Sequence, residues 1–149
     1  AMGINRTTVY YHFEHRDALL AAVKQWASAE LARGMDVGTS TPERIGHISH
    51  FVLENPELIK LWIDDFVSGK DIRDSYPRWD DLVAGLAASF AAKGLDIDAE
   101  VYCVMLLAAS IIGPRVFANS VRPDLNLEEV AARFLREEQR VLQRDGLEE

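Results

Sequence analysis

Apolar residues recur three and four positions apart along nearly all of the chain, and nowhere does the two-residue alternation of a strand persist. This period predicts helices throughout and an all-α fold. Asn5 caps a short helix reaching about His12, and Asp17 opens a long one that carries Ala18, Leu19, Ala22, Val23, Trp26 and Leu31 as far as Gly34. Val37 to Ser40 reads as a loop. Thr41-Pro42-Glu43 sets a hydroxyl cap before a proline in the first helical turn, and the stripe Ile45, Ile48, Phe51 and Val52 follows. Asn55-Pro56-Glu57 repeats that start ahead of Leu58, Ile59, Trp62, Ile63 and Phe66, with Gly69 as the stop. After a polar connection, Lys70 to Arg78, comes a helix with Leu82, Val83, Leu86, Ala87 and Phe90, ended by Lys93-Gly94.

The last two helices have a different texture. Asp96 is the expected cap of Ile97–Ile112, which is apolar on every side and therefore predicted to be covered on every side, with Gly113-Pro114 breaking or kinking it. Its longest apolar run, Val101 to Ile112, is twelve residues, short of the roughly 20 that a membrane span needs, so no membrane is expected. Asn126 and Glu129 form a capping box for the final helix, whose stripe is Leu127, Val130, Ala131, Phe134, Leu135, Val141 and Leu142. Two such helices predict a homodimer through a four-helix interface including Ala108, Ala109, Ile112, Val130, Phe134 and Val141.

Composition changes this picture little. The chain has 149 residues, 48% hydrophobic and 27% charged, as expected of one globular domain with a small appendage. A single Cys103 excludes an intramolecular disulfide and fits a reducing compartment. Charge is more telling. The net value is −8, yet residues 1–26 hold three cations against two anions and so carry +1, leaving −9 for the rest. A slightly basic, aromatic-rich head on an acidic body signals divided labour.

The head has the grammar of the second half of a helix-turn-helix. In Gly3-Ile4-Asn5-Arg6-Thr7-Thr8-Val9-Tyr10-Tyr11-His12-Phe13, Gly3 permits the turn, Ile4 packs inward and Asn5 caps. Arg6, Thr7 and Thr8 occupy the first turn, from which side chains reach base edges in a major groove. Tyr10, His12 and Arg16 offer a hydroxyl, a ring nitrogen and a cation to phosphate oxygens, while Tyr11 divides between contact and core. Val9 and Phe13 lie on the packed side.

Residues 1–20, Ala-Met-Gly-Ile-Asn-Arg-Thr-Thr-Val-Tyr-Tyr-His-Phe-Glu-His-Arg-Asp-Ala-Leu-Leu, resemble the recognition-helix signature of the TetR family of transcriptional regulators, with Arg16 where the family usually has Lys. Beyond residue 26 the resemblance is one of architecture. It implies a partial helix-turn-helix head in 1–16, about one and a half helices of the head lying upstream, and a helical effector-binding and dimerisation body in 17–149. It further implies a cytoplasmic one-component regulator, a repressor released from a double-stranded DNA operator by a small molecule. The expected effector is apolar or aromatic, held near Trp62, Phe66, Leu86, Phe90, Tyr102, Met105 and Arg115.

A second reading stands beside this one, a dimeric helical ligand-binding or interaction module that never binds DNA. Other chemistry is not expected. His12/His15 and His47/His50 lack a closed ligand set, so no metal and no cofactor are expected, and His50 with Glu54 reads as a surface pair. The carboxylates Asp64-Asp65 and Asp80-Asp81 read as solvated, since neighbours on a helix diverge. No glycine-rich phosphate loop, nucleophile elbow or HExxH sequence points to an enzyme.

Overall fold

The computed structural model of the chain describes residues 15–34 and 40–147. Arg6, Thr7, Thr8, Tyr10, Tyr11 and His12 lie outside the described residues. Within them the fold is all-α with no strand: α1 Arg16–Gly34, α2 Thr41–Glu54, α3 Pro56–Val67, the short α4 Ile72–Ser75, α5 Trp79–Ala92, α6 Ala99–Val121 and α7 Leu127–Arg144.

Local chemistry sets most of these boundaries. Ser40, one residue before the expected Thr41, caps α2, and its backbone N–H and hydroxyl both donate to the Glu43 carboxylate, at 3.0 and 2.6 Å. Asp98 rather than Asp96 caps α6, accepting from the N–H groups of Glu100 and Val101, each at 3.0 Å. The expected box at α7 is present, with Glu129 N–H donating to Asn126 Oδ1 at 2.9 Å. Asn55 does not cap forwards into α3. Its amide turns back and donates to the Phe51 carbonyl at 2.8 Å, closing α2 instead. Gly69 and Gly94, at φ 77° and 64°, end α3 and α5 in the left-handed region where a side chain is strained.

The middle of the molecule is α2, which packs on α1, α6 and, most extensively, α7. Ala27 and Leu31 of α1, Phe51 and Val52 of α2, Ile59 and Trp62 of α3, and Ile111 of α6 share the principal core. Leu53 leaves the other side of α2 to meet Val130 and Ala131 of α7. A third cluster joins Phe90 of α5 to Tyr102 of α6, their rings edge-on at 5.1 Å, an arrangement worth about 0.5–1.5 kcal/mol beyond burial.

Two expectations about the last helices are corrected. Gly113-Pro114 does not break α6, which runs 23 residues. A π-helical segment, Ala108–Ile112, precedes the proline, and Gly113 N–H donates to the Ala108 carbonyl five residues back. The wider turn relieves the clash between a proline ring and the carbonyl four residues earlier, so Pro114 sits buried inside a continuous helix. A second π segment, Phe117–Val121, follows. By length and composition α6 is therefore long and apolar enough to cross a membrane, which the twelve-residue run did not reveal. One side of it packs into this chain, burying Tyr102, Cys103, Ile111 and Pro114.

The second correction concerns coverage. The stripe of α7 is largely satisfied by its own chain, because Val130 and Ala131 dock against α2 and Phe134 stacks edge-on to Phe117 at 5.8 Å. Val130, wholly buried in this way, has no surface to offer a second copy. It is α6 that remains bare on one face: Val101, Val104 and Met105 are 55, 51 and 62% exposed, and Ala108 continues that face at helical spacing.

Candidate functional site

A cavity of about 470 Å³ opens between five of the helices, within the range of small-molecule sites. Leu31 of α1 and Ile45 and Ile48 of α2 line one side. Leu82, Gly85 and Leu86 of α5 face Cys103, Leu106, Leu107 and Ile111 of α6, and Leu142 of α7 and Leu147 contribute as well. Each face arises from the helical period: 82, 85, 86 and 89 mark one stripe of α5, and 103, 106, 107 and 110 one stripe of α6.

The polar groups in this wall are few. Arg44 donates to the Thr41 hydroxyl at 2.9 Å. Tyr76 is half-buried, and burial raises its phenol pKa. Asp81 is exposed, with Arg78 at 3.9 Å. The Cys103 thiol is pushed up by burial, which keeps it protonated and unreactive. Glu138 stands apart. It lines the cavity from α7, is buried, and its Oε2 accepts from the Ser110 hydroxyl at 2.9 Å. Its Oε1 has no hydrogen-bond partner. Burial raises the Glu138 pKa against the smaller opposing effect of the serine hydroxyl.

Of the residues expected to hold an effector, Leu86 lines the cavity and six do not. Trp62 is core beneath α2, with Phe66 packed beside it. Phe90 and Tyr102 are occupied with each other, and the Tyr102 hydroxyl donates to Asp145 at 2.8 Å. Arg115 donates to the Leu53 carbonyl at 3.0 Å, tying α6 to the end of α2. Met105 lies on the bare face of α6. The aromatic residues were too well matched to one another to leave space, and the void falls where leucines and small residues meet. Glu138 was missed because its neighbours Glu137, Arg136 and Arg140 read as a polar face. Yet 131, 135, 138 and 142 continue one helical row, and a carboxylate in that row was the available signal.

Other sequence expectations resolve as follows. Arg16 is exposed at the start of α1. His50 faces Glu128 of α7 at 3.7 Å rather than Glu54, and His47 contacts the Glu30 carbonyl at 3.1 Å. Among the described residues no group of three His, Cys, Asp or Glu side chains is placed to hold a metal ion. Asp65 is not solvated: it is buried between Lys24 of α1 and Lys70, the latter at 2.7 Å, and the two ammonium groups hold its carboxyl below the usual range.

No family model, curated protein or solved structure matches this chain.

Proposed function

We propose that the chain is the ligand-sensing body, with the recognition helix, of a TetR-type one-component transcriptional repressor working in the cytoplasm. One observation carries this reading. In sequence the helix-turn-helix signature of residues 3–13 lies just ahead of α1, and the far end of α1 supplies Leu31 to the cavity wall. At about 1.5 Å per residue the 19 residues of α1 form a rod of roughly 28 Å. Ligand in the cavity would then act on a recognition helix ahead of α1 through one stiff element, which Lys24 also ties to Asp65 of α3. A ligand that binds better to one setting of that rod shifts the population towards it, by no more than its difference in affinity.

Arg6, Thr7 and Thr8 would address base edges, and Tyr10, His12 and Arg16 phosphates. The bare face of α6, Val101, Val104, Met105 and Ala108 with the half-buried Ala109 and Ile112 beside it, would pair with that of a second copy. Two recognition helices would thereby be set about one turn of DNA, or a multiple, apart.

Titration of a protein carrying a complete helix-turn-helix head on this body against duplex DNA at several salt concentrations tests this function. Affinity should fall steeply with salt; Arg16→Ala should weaken all sequences alike, and Arg6→Ala should also relax base preference. Absence of salt-dependent binding would leave a ligand-binding module that does not use DNA. Sedimentation of the 149-residue chain at micromolar concentration should give a dimer that Val104→Asp converts to monomer. A stable wild-type monomer would end the two-half-site reading.

A further inference from the structure

Three buried side-chain atoms among the described residues lack a hydrogen-bond partner: Ser49 Oγ, Trp62 Nε1 and Glu138 Oε1. Only the last belongs to a residue lining the cavity. A carboxyl group taken from water needs compensation at both oxygens, and the Ser110 hydroxyl supplies one bond to Oε2. The charges in the wall add to this. Among the described lining residues the charged groups are Arg44, Asp81 and Glu138; Asp81 has Arg78 at 3.9 Å, which leaves Glu138 as the acid without a cation, and the rest of the surface is mostly apolar. Among the described residues nothing in the wall offers Glu138 a cation: Arg44 is directed to Thr41, and Arg115 is held at Leu53 outside the lining.

We infer that the cavity takes an apolar molecule bearing a basic nitrogen, and that the Glu138 side chain, whose Oε1 is itself closed off from open space, turns into the cavity so that the ligand N–H supplies the partner it lacks. This rests on the cavity being the ligand site, and it replaces the purely apolar or aromatic effector expected from sequence. The hydrocarbon part lies against Leu31, Leu86, Leu106 and Ile111, and the ammonium group lies at the α7 wall beside Ser110. A neutral alcohol of the same shape gains the apolar contacts and a single neutral hydrogen bond but leaves the negative charge unanswered; an anion adds repulsion from Glu138. Selectivity is thus assigned to one carboxylate, and affinity for the hydrocarbon to the leucines around it.

Three probes of one shape separate these contributions: 4-phenylbutylammonium, 4-phenylbutanol and 4-phenylbutyrate, titrated calorimetrically into the 149-residue chain and its variants. The ammonium should bind at least tenfold more tightly than the alcohol, and the butyrate most weakly. In Glu138→Gln the ammonium should fall to the level of the alcohol, with the alcohol itself changed less than twofold. Ser110→Ala, which keeps the carboxylate, should retain the preference and guards against reading a general loss of packing as a loss of recognition. Alcohol and ammonium binding equally, or a preference that survives Glu138→Gln, would overturn the inference while leaving the cavity as a ligand site. Failure of all three to bind at millimolar concentration would overturn the cavity reading and the inference with it.

Discussion

Asp65 and Glu138 are buried to the same degree, each 8% exposed, yet their surroundings oppose one another. Asp65 sits at the seam of α1 and α3 with a lysine on either side, and its acidity is strengthened. Glu138 sits in the wall of a void with one serine hydroxyl, and its acidity is weakened. Burial is therefore a poor guide to function by itself. A carboxylate whose charge is answered within the fold fastens helices together. One that lacks an answer, beside unfilled volume, is placed to receive something from outside.

The largest expected effect comes from removing the answered group. Asp65→Ala leaves Lys24 partly buried without its acceptor and loosens α1 from α3, so unfolding free energy should fall by about 2–3 kcal/mol. Urea denaturation measures this, and a loss under about 0.5 kcal/mol would remove the fastening role. The unanswered group should behave in the opposite sense. Glu138→Met replaces an uncompensated acid with an apolar chain of similar length, and stability should rise by about 1 kcal/mol near neutral pH. A marked drop instead would mean that the carboxylate already has its compensation.

The pH dependence sharpens the contrast at smaller amplitude. The Glu138 pKa is raised, so the folded state favours the protonated form; its contribution is intact below the ordinary value of 4.5 and declines as pH rises through the raised value. The Asp65 pKa is lowered, so its contribution is intact above the ordinary 3.8 and is lost as pH falls through the lowered value. Melting curves recorded from pH 3 to 8, on the order of the window these groups span, should lose their neutral-side slope in Glu138→Met and part of their acid-side slope in Asp65→Ala. The smallest effect lies between these regions. A Cβ at Gly113 would come within 2.8 Å of Phe134 Cε1, so Gly113→Ala should cost no more than about 0.5 kcal/mol by urea denaturation, the ring shift slightly outweighing the helix propensity gained.

Helical period and capping chemistry made most elements readable from sequence, and errors of one or two residues at Ser40 and Asp98 came from choosing among adjacent polar residues. Which stripe meets which was not readable. The row through Val130 and Ala131 promised an exposed surface, but α2 offered Leu53 and its neighbours as cover, a pairing between residues some 80 positions apart. The cavity was hidden for a related reason. Aromatic residues mark where volume is filled, whereas the void lies among Leu82, Gly85, Leu86 and Leu106, whose sizes say little until the helix spacing is known. Asp65 reads as solvated beside Asp64, and Glu138 stands among charged neighbours; it is the helical row holding each one that buries it.

The π segment ahead of Pro114 also bears on how this chain tolerates gaps. Its five-residue hydrogen-bond step accommodates one residue more than an ordinary turn. Deleting a single residue between 108 and 112 therefore returns α6 to the ordinary four-residue step and leaves everything beyond it near its present orientation, whereas a deletion elsewhere in a helix turns the rest by about 100°. The penalty falls on Pro114, whose ring loses the wider turn that clears the carbonyl four residues back, while Gly113 stays by the Phe134 ring and Arg115 by the Leu53 carbonyl. A family of sequences descended from this one should accordingly show loss of a residue at that point in step with replacement of Pro114, an alignment signature readable without any structure.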